Sequence, residues 1–141
     1  MAGLIGLTVA TNASIAGAEV GGQGEVETAS AMAAAAACYL LGGDIEAQVD
    51  RAAETALEHY LCLTCDPVYG LVQIPCIERN AATVAALHAA SLAVLCRAED
   101  RISFDTAVAA LAEIGRNMSP KYKETSLGGI AALFREDPRE S

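Results

Sequence analysis

Apolar residues recur every three or four positions along most of the chain, in segments that glycines and prolines separate. The glycines between Gly17 and Gly24 predict a flexible loop in which backbones can approach closely. The alanine-rich segment after it, from about Val26 to Leu41, ends at a pair of glycines, which commonly terminate a helix. In the next segment, Asp44 is a suitable N-cap, and apolar residues keep helical spacing as far as Cys62. The pattern therefore predicts two consecutive helices, the first of them poor in large side chains.

Two further helices are predicted in the second half of the chain. One runs from about Ile77 or Asn80 to Arg97, and another begins at Ser103, a good N-cap, and ends before Pro120. Alanine, leucine and glutamate favour helix, and the runs of β-branched residues that are typical of strands are missing. We therefore predict an all-α fold, a compact helical domain of about five helices. The alanine-rich helix is expected at its centre, with functional loops at the helix ends.

Length and charge restrict the class of protein. The chain has 141 residues, enough for one domain with its own core, and we predict a single helical domain over 1–141. Its net charge of −9 disfavours nucleic acid and anionic membrane surfaces as partners. The opening segment is apolar without a cationic leader, so it resembles part of a helix from a longer chain more than a secretory signal. We expect a cytoplasmic protein that binds neither nucleic acid nor membrane.

Five cysteines carry the candidate chemistry, and three of them lie close together in sequence. Cys65 and Cys76 flank a connector that contains proline and glycine, and Cys62 forms a C-x-x-C pair with Cys65. An odd number of cysteines is a poor disulfide framework. The Cys65–Cys76 spacing matches no standard metal motif. The pattern alone therefore leaves three interpretations open: buried packing, metal or cluster ligands, or a nucleophile.

Three stretches carry a resemblance to a known family. They are "NASIAGAEVGGQGEV" (12–26), "LTCDPVYGLVQIPCIERNA" (63–81) and "KYKETSLGG" (121–129). Together they closely resemble the C-terminal half of the α-chain of iron–sulfur-dependent bacterial L-serine dehydratases. The resemblance implies a helical fold, a [4Fe-4S] cluster held by three cysteines, and conversion of L-serine to pyruvate and ammonia. It also implies that one iron stays open to the substrate and acts as a Lewis acid.

The resemblance implies two ligands directly. Cys65 and Cys76 match two of the family's cluster cysteines, whereas the third position is occupied here by Gly22. Cys62 stands where the family usually has glycine, and it is a candidate replacement ligand for the cluster. If a thiol is restored at position 22, the resemblance predicts a more stable cluster.

Other residues are candidates for work on the substrate. The resemblance covers His59 and Lys121, which are candidate catalytic residues, and Arg79 and Asn80, which are candidate substrate-binding residues. Arg79 suits a substrate carboxylate, and Glu19 and Glu25, which flank Gly22, are each a possible ligand or base. The alternatives are a hydrogen-bonded histidine without a catalytic role for His59 and a solvated helix start for Lys121.

The resemblance also implies partners. We expect L-serine as substrate, a further domain or chain that completes the site, and a homo-oligomer. Two alternatives to a lyase remain open. One is a non-catalytic helical domain of the same descent, and the other is a zinc or redox thiol site on Cys62, Cys65 and Cys76.

Overall fold

A computed structural model describes residues 1–95 and 102–134 of the chain. Eight α-helical segments lie in these two ranges: α1 Ala2–Asn12, α2 Gly17–Val20, α3 Thr28–Leu40, α4 Asp50–Glu58, α5 Cys76–Ala81, α6 Ala85–Leu95, α7 Phe104–Asn117 and α8 Gly129–Leu133. The described part of the chain contains no β-strand, and only Cys65 and Lys123 form an isolated parallel bridge. The all-α prediction is confirmed, and the helices of nine or more residues are α1, α3, α4, α6 and α7.

The alanine-rich helix α3 lies at the centre, as the sequence predicts. It packs against α1, α4 and α6. Ala31, Ala34 and Ala35 are fully buried along α3, and α6 also buries a row of alanines. Because these side chains are short, the neighbouring helices approach α3 closely, and the core is built from backbone proximity more than from large apolar groups.

The two predicted N-caps, Asp44 and Ser103, are confirmed, and the second predicted helix begins with a wide turn. Asp44 caps it by accepting hydrogen bonds from the backbone N–H groups of Glu46 and Ala47, and a π-helical turn over Ile45–Val49 leads into α4. Ser103 caps α7 by accepting a hydrogen bond from Thr106 N. The third predicted helix is interrupted by a 3₁₀ turn over Ala82–Val84, and its predicted end at Arg97 lies outside the described residues.

The glycine-rich stretch before α3 is more helical than the sequence predicts. The prediction of a flexible loop there is wrong, because α2 and a π-helical turn over Gln23–Glu27 occupy most of it. Only Gly21, at φ 81°, leaves the helical region. The buried Gln23 side chain fixes the turn: its Nε2 donates to Leu111 O, and its Oε1 accepts from Cys62 N. These two hydrogen bonds attach the turn to α7 and to the loop that follows α4.

The described helices lack the combination of length and apolar character that a bilayer span requires.

The carboxyl group of Glu27 is buried at the end of the π-helical turn. Within residues 1–95 and 102–134, neither of its oxygens has a hydrogen-bond partner. Burial raises the pKa of Glu27 to about 9. The carboxyl is therefore protonated in the folded chain at neutral pH, whereas the unfolded chain ionises it near its ordinary pKa of 4.5.

Glu27 is expected to make the fold less stable as pH rises. Between the two pKa values the folded state binds one more proton than the unfolded state, so the free energy of unfolding falls with pH. In Glu27→Gln this contribution disappears. We expect the variant's advantage over wild type to grow by about 1 kcal/mol per pH unit between about pH 5 and 8, measured by urea unfolding. Glu46→Gln, at an exposed position, is the control; parallel profiles for Glu27→Gln and wild type would contradict the assignment.

Candidate functional site

Cys65 and Cys76 lie together although a long connector separates them in sequence. Cys65 belongs to the loop after α4, and Cys76 is the first residue of α5. Both side chains are buried, with 1% and 8% exposure, and the two thiols are hydrogen-bonded to each other. The structure therefore forms a thiol pair between the loop after α4 and the start of α5.

The thiol pair is surrounded by acidic groups. A Cβ built on Gly17 would lie 3.0 Å from Glu25 Oε2 and 3.2 Å from Cys65 Sγ, so the carboxylate and the sulfur face the same small space. Burial, followed by the charges of Glu25 and Glu124, raises the pKa of Cys65 to about 12. Burial also raises the pKa of Cys76, although the hydrogen bond from Cys65 and the Arg79 charge oppose the increase. Both groups are neutral thiols at physiological pH.

The C-terminal part of the described chain holds Cys65 through its backbone. Cys65 N donates to Tyr122 O at 2.8 Å, and Glu124 N donates to Cys65 O at 2.7 Å. These two bonds form the isolated bridge to Lys123. We refer to residues 63–67, which include Cys65, as the thiol loop. Residues 119–134 contact the thiol loop as one stretch, and we call them the C-terminal segment.

Asp66 is fully buried next to Cys65. Its Oδ1 accepts hydrogen bonds from Thr64 Oγ1 at 2.8 Å and from Arg79 Nη1 at 2.6 Å. Its Oδ2 accepts one from Ile130 N at 2.6 Å. Burial alone would raise the pKa of Asp66, but these hydrogen bonds, together with the Arg79 charge, outweigh burial and lower it. Asp66 is therefore an ionised group inside the protein.

The turn over residues 21–24, which we call the glycine turn, lies directly against the thiol loop. Gln23 N donates to Leu63 O at 3.1 Å, and a Cβ built on Gly22 would lie 2.5 Å from Thr64 O. The turn therefore approaches the residue before Cys65 so closely that a side chain at position 22 would displace backbone.

Cys62 does not join the thiol pair. It is exposed, its φ is 75°, and it lines a groove of about 430 Å³ together with residues at the end of α7 and in the C-terminal segment, among them Asn117 and Tyr122. Glu25, which faces Cys65, lines a different, largely apolar groove of about 540 Å³ beside α1 and α3. Cys62 thus lies at a surface groove, whereas Cys65 and Cys76 are buried.

The family model described as serine dehydratase alpha chain matches residues 1–131. The chain belongs to the serine dehydratase alpha-chain family. It is 54% identical over 136 residues to an L-serine dehydratase of Streptomyces coelicolor, over 96% of this chain and 30% of that protein. It is 54% identical over 137 residues to L-serine dehydratase 1 of Escherichia coli, with the same coverage. It is 48% identical over 132 residues to an L-serine dehydratase of Helicobacter pylori, over 93% of this chain and 29% of that protein. The chain thus spans about 30% of the length of these relatives.

A [4Fe-4S] cluster held by three cysteines does not fit the donors that this chain brings together. Cys65 and Cys76 supply two sulfurs, Gly22 supplies none, and Cys62 faces a separate groove. Within residues 1–95 and 102–134, no three His, Cys, Asp or Glu side chains are placed to hold one metal ion. A third ligand, whether from Cys62 or from elsewhere, stays a prediction.

The remaining predicted site residues have partners of their own. The His59 ring contacts Thr55 O through Nδ1, and Lys121 Nζ lies 4.8 Å from the centre of the Tyr122 ring. Asn80 Nδ2 donates to Cys76 O at 2.9 Å, inside α5. Asn80 thus contacts a residue of the thiol pair, whereas the contacts of His59 and Lys121 lie elsewhere. Their predicted roles with substrate stay predictions.

Two features of the site have little sequence signal. The Asp-Pro pair after Cys65 predicts a turn, but nothing local shows that the Asp66 carboxylate is buried. The "ETSLGG" stretch is typical of a polar, flexible segment, yet Ile130 N and the backbone near Tyr122 hold the thiol loop. The sequence indicates that the two segments meet only through the resemblance, which includes both "CDPV" and "ETSLGG".

Cys62 is expected to strain the backbone, because a side chain disfavours the left-handed region that its φ of 75° occupies. We expect Cys62→Gly to raise the free energy of unfolding by about 1 kcal/mol. Cys62→Ala keeps Cβ and is the matched control, with no comparable gain. Chemical denaturation of both variants measures the difference, and equal stability would show that the turn carries no strain.

The contact at Gly22 predicts a loss of stability when a side chain is added. Gly22→Ala is expected to lower the free energy of unfolding by about 1–3 kcal/mol, because the new methyl group meets the Thr64 carbonyl. Gly3→Ala is the control, since a Cβ at position 3 would have no atom within 4 Å and alanine favours helix. Thermal unfolding should show opposite shifts; a neutral Gly22→Ala would mean that the turn does not press on the thiol loop.

Proposed function

We propose that this chain forms the thiol-bearing part of an L-serine ammonia-lyase, an enzyme that converts L-serine to pyruvate and ammonia. The observation that supports the proposal is the buried Cys65–Cys76 pair in a chain that is 54% identical to L-serine dehydratases. In this proposal L-serine is the substrate, a further domain or chain completes the site, and the assembly is a homo-oligomer in the cytoplasm. The 30% coverage of the relatives supports the need for the completing part.

The surroundings of the thiol pair suit a cationic group. Glu25 and Glu124 act on Cys65 by charge, and Arg79, which acts on Cys76, is already in an ion pair with Asp66. Negative potential in a partly closed site favours the ammonium group of an amino acid. The part that completes the site is then expected to bring the positive charge that the substrate carboxylate needs.

The proposal includes the [4Fe-4S] cluster that the resemblance implies, with Cys65 and Cys76 as two of its candidate ligands. The third ligand would come from another part of the assembly or from a rearranged glycine turn. Roles for His59, Lys121, Arg79 and Asn80 toward L-serine are likewise part of the proposal, with Arg79 and Asn80 the two that lie beside the thiol pair.

A second candidate function is a non-catalytic domain of the same descent. The contact between Gly22 and Thr64 O favours it, because the turn fills the place from which the family's third thiol would extend. Such a domain would keep the fold and the thiol pair without binding a cluster.

A chimera tests the first candidate. This chain replaces the matching 30% of the Streptomyces coelicolor L-serine dehydratase, and the product is assayed anaerobically, after incubation with iron and sulfide, for pyruvate and ammonia formed in equal amounts. We expect L-serine-dependent turnover, and a loss of at least about 100-fold in Cys65→Ala. Cys38→Ala is the matched control, since Cys38 is also a buried cysteine but packs in the main core.

The outcomes separate the two candidates. No pyruvate from a folded chimera, when the unaltered Streptomyces coelicolor protein is active under the same conditions, would contradict the first candidate. Turnover and bound iron in the Gly22→Cys chimera alone would support the second candidate for the natural sequence. Iron content, measured beside activity, shows whether the thiol at position 22 is what the chain lacks.

A further inference from the structure

The two thiols lie at the ends of a connector that its own backbone closes only in part. Ten residues connect Cys65 to Cys76, and much of this connector is exposed, including Tyr69 and Leu71. A 3₁₀ turn over Val68–Gly70 and the hydrogen bond from Val68 N to Ile74 O at 2.8 Å close the middle of the connector. The residues on either side of this closed turn, next to Cys65 and Cys76, are joined by a further contact.

The ends of the connector are joined by the Asp66–Arg79 ion pair. Asp66 follows Cys65 directly, and Arg79 lies about one helical turn after Cys76 on α5. The Arg79 Nη1 atom donates both to Asp66 Oδ1 at 2.6 Å and to Thr64 O at 2.8 Å. It therefore contacts the residues on both sides of Cys65 and holds α5 against the thiol loop.

The same carboxylate also attaches the C-terminal segment. Asp66 Oδ2 accepts the hydrogen bond from Ile130 N at 2.6 Å. Gly129, at φ 59°, brings its backbone so close to Oδ2 that a Cβ there would overlap the carboxylate. One buried side chain thus contacts the thiol loop, α5 and the start of α8.

We propose that Asp66 is the positioning residue of the thiol pair: its carboxylate, by binding Arg79 and Ile130 N together, sets the separation of the Cys65 and Cys76 sulfurs. Arg79 acts through Asp66 in this arrangement and orients α5. The inference deepens the proposed function, because the thiol pair is the site that function needs. It is tested without substrate or iron, so the two can fail separately.

The test measures how strongly the fold holds the two thiols together. In a glutathione redox buffer, the dithiol and one oxidised glutathione exchange to give the Cys65–Cys76 disulfide and two reduced glutathiones. Two thiols lose their protons and two electrons, and the glutathione disulfide gains both. The equilibrium constant is the effective concentration of one thiol near the other. The full chain carrying Cys38→Ala, Cys62→Ser and Cys96→Ser is used, so that Cys65 and Cys76 are its only thiols in the folded chain and in urea, and the products are counted by mass spectrometry after acid quenching.

We expect the folded parent to exceed the same chain in urea by at least about tenfold in effective concentration, and Asp66→Asn to remove most of that excess. Asp44→Ala is the matched control. It removes another carboxylate that caps a helix start, so it lowers stability without touching the thiol loop, and its effective concentration should equal the parent's. A merely stabilising role for Asp66 predicts that both variants behave alike below their melting temperatures.

Two further variants decide the question if Asp66→Asn fails to fold. Thr64→Val removes one donor to Oδ1, and Arg79→Lys keeps the charge but lacks a guanidinium that reaches both acceptors. Each should lower the effective concentration by several-fold. Parent-like values in the folded variants would overturn the proposal, and so would a folded parent that does not exceed its unfolded form.

Discussion

The buried ion pair between Asp66 and Arg79 is the interaction on which the candidate site depends. A carboxylate loses its hydration when it is buried, and it stays ionised only where hydrogen bonds and opposite charge compensate. Here the compensating donors belong to the thiol loop, α5 and the C-terminal segment. The need to satisfy one carboxylate therefore fixes three segments relative to one another. Loss of one partner of such a pair costs about 3–5 kcal/mol, because the other charge is left without compensation.

The rest of the fold brings backbones together through small side chains. Alanines along α3 and α6 allow the central helices to pack closely, and Gly22 allows the turn before α3 to reach Thr64. Such a core has few large, flexible apolar side chains that could rearrange around a substitution. An added methyl group or an unpartnered polar atom therefore lowers the stability of the fold markedly. Glu27 shows the second case: the fold accepts it only as a neutral acid.

Much of the fold could be predicted because its signals are local. The caps at Asp44 and Ser103 and the alanine-rich pattern of α3 each depend on neighbouring residues, and the structure confirms them. The helical state of the glycine-rich stretch could not be predicted, because it is fixed by Gln23, whose partners Leu111 and Cys62 are distant in sequence. The role of Asp66 could not be predicted either, because its partners Arg79 and Ile130 are also distant in sequence. The resemblance named Cys65 and Cys76, but no local pattern shows that both sulfurs share one buried space while Cys62 faces another groove.

The glycine at position 22 connects the fold of this chain to the question of its chemistry. The turn and the thiol loop are joined by the hydrogen bond from Gln23 N to Leu63 O and by the contact of Gly22 with Thr64 O. A cysteine at position 22 would need the Thr64 carbonyl to move, and that carbonyl accepts the hydrogen bond from Arg79. A third thiol and the present Asp66–Arg79 arrangement therefore compete for the same backbone position. Adding a thiol at position 22 would therefore also disturb the hydrogen bond by which Arg79 holds the thiol loop.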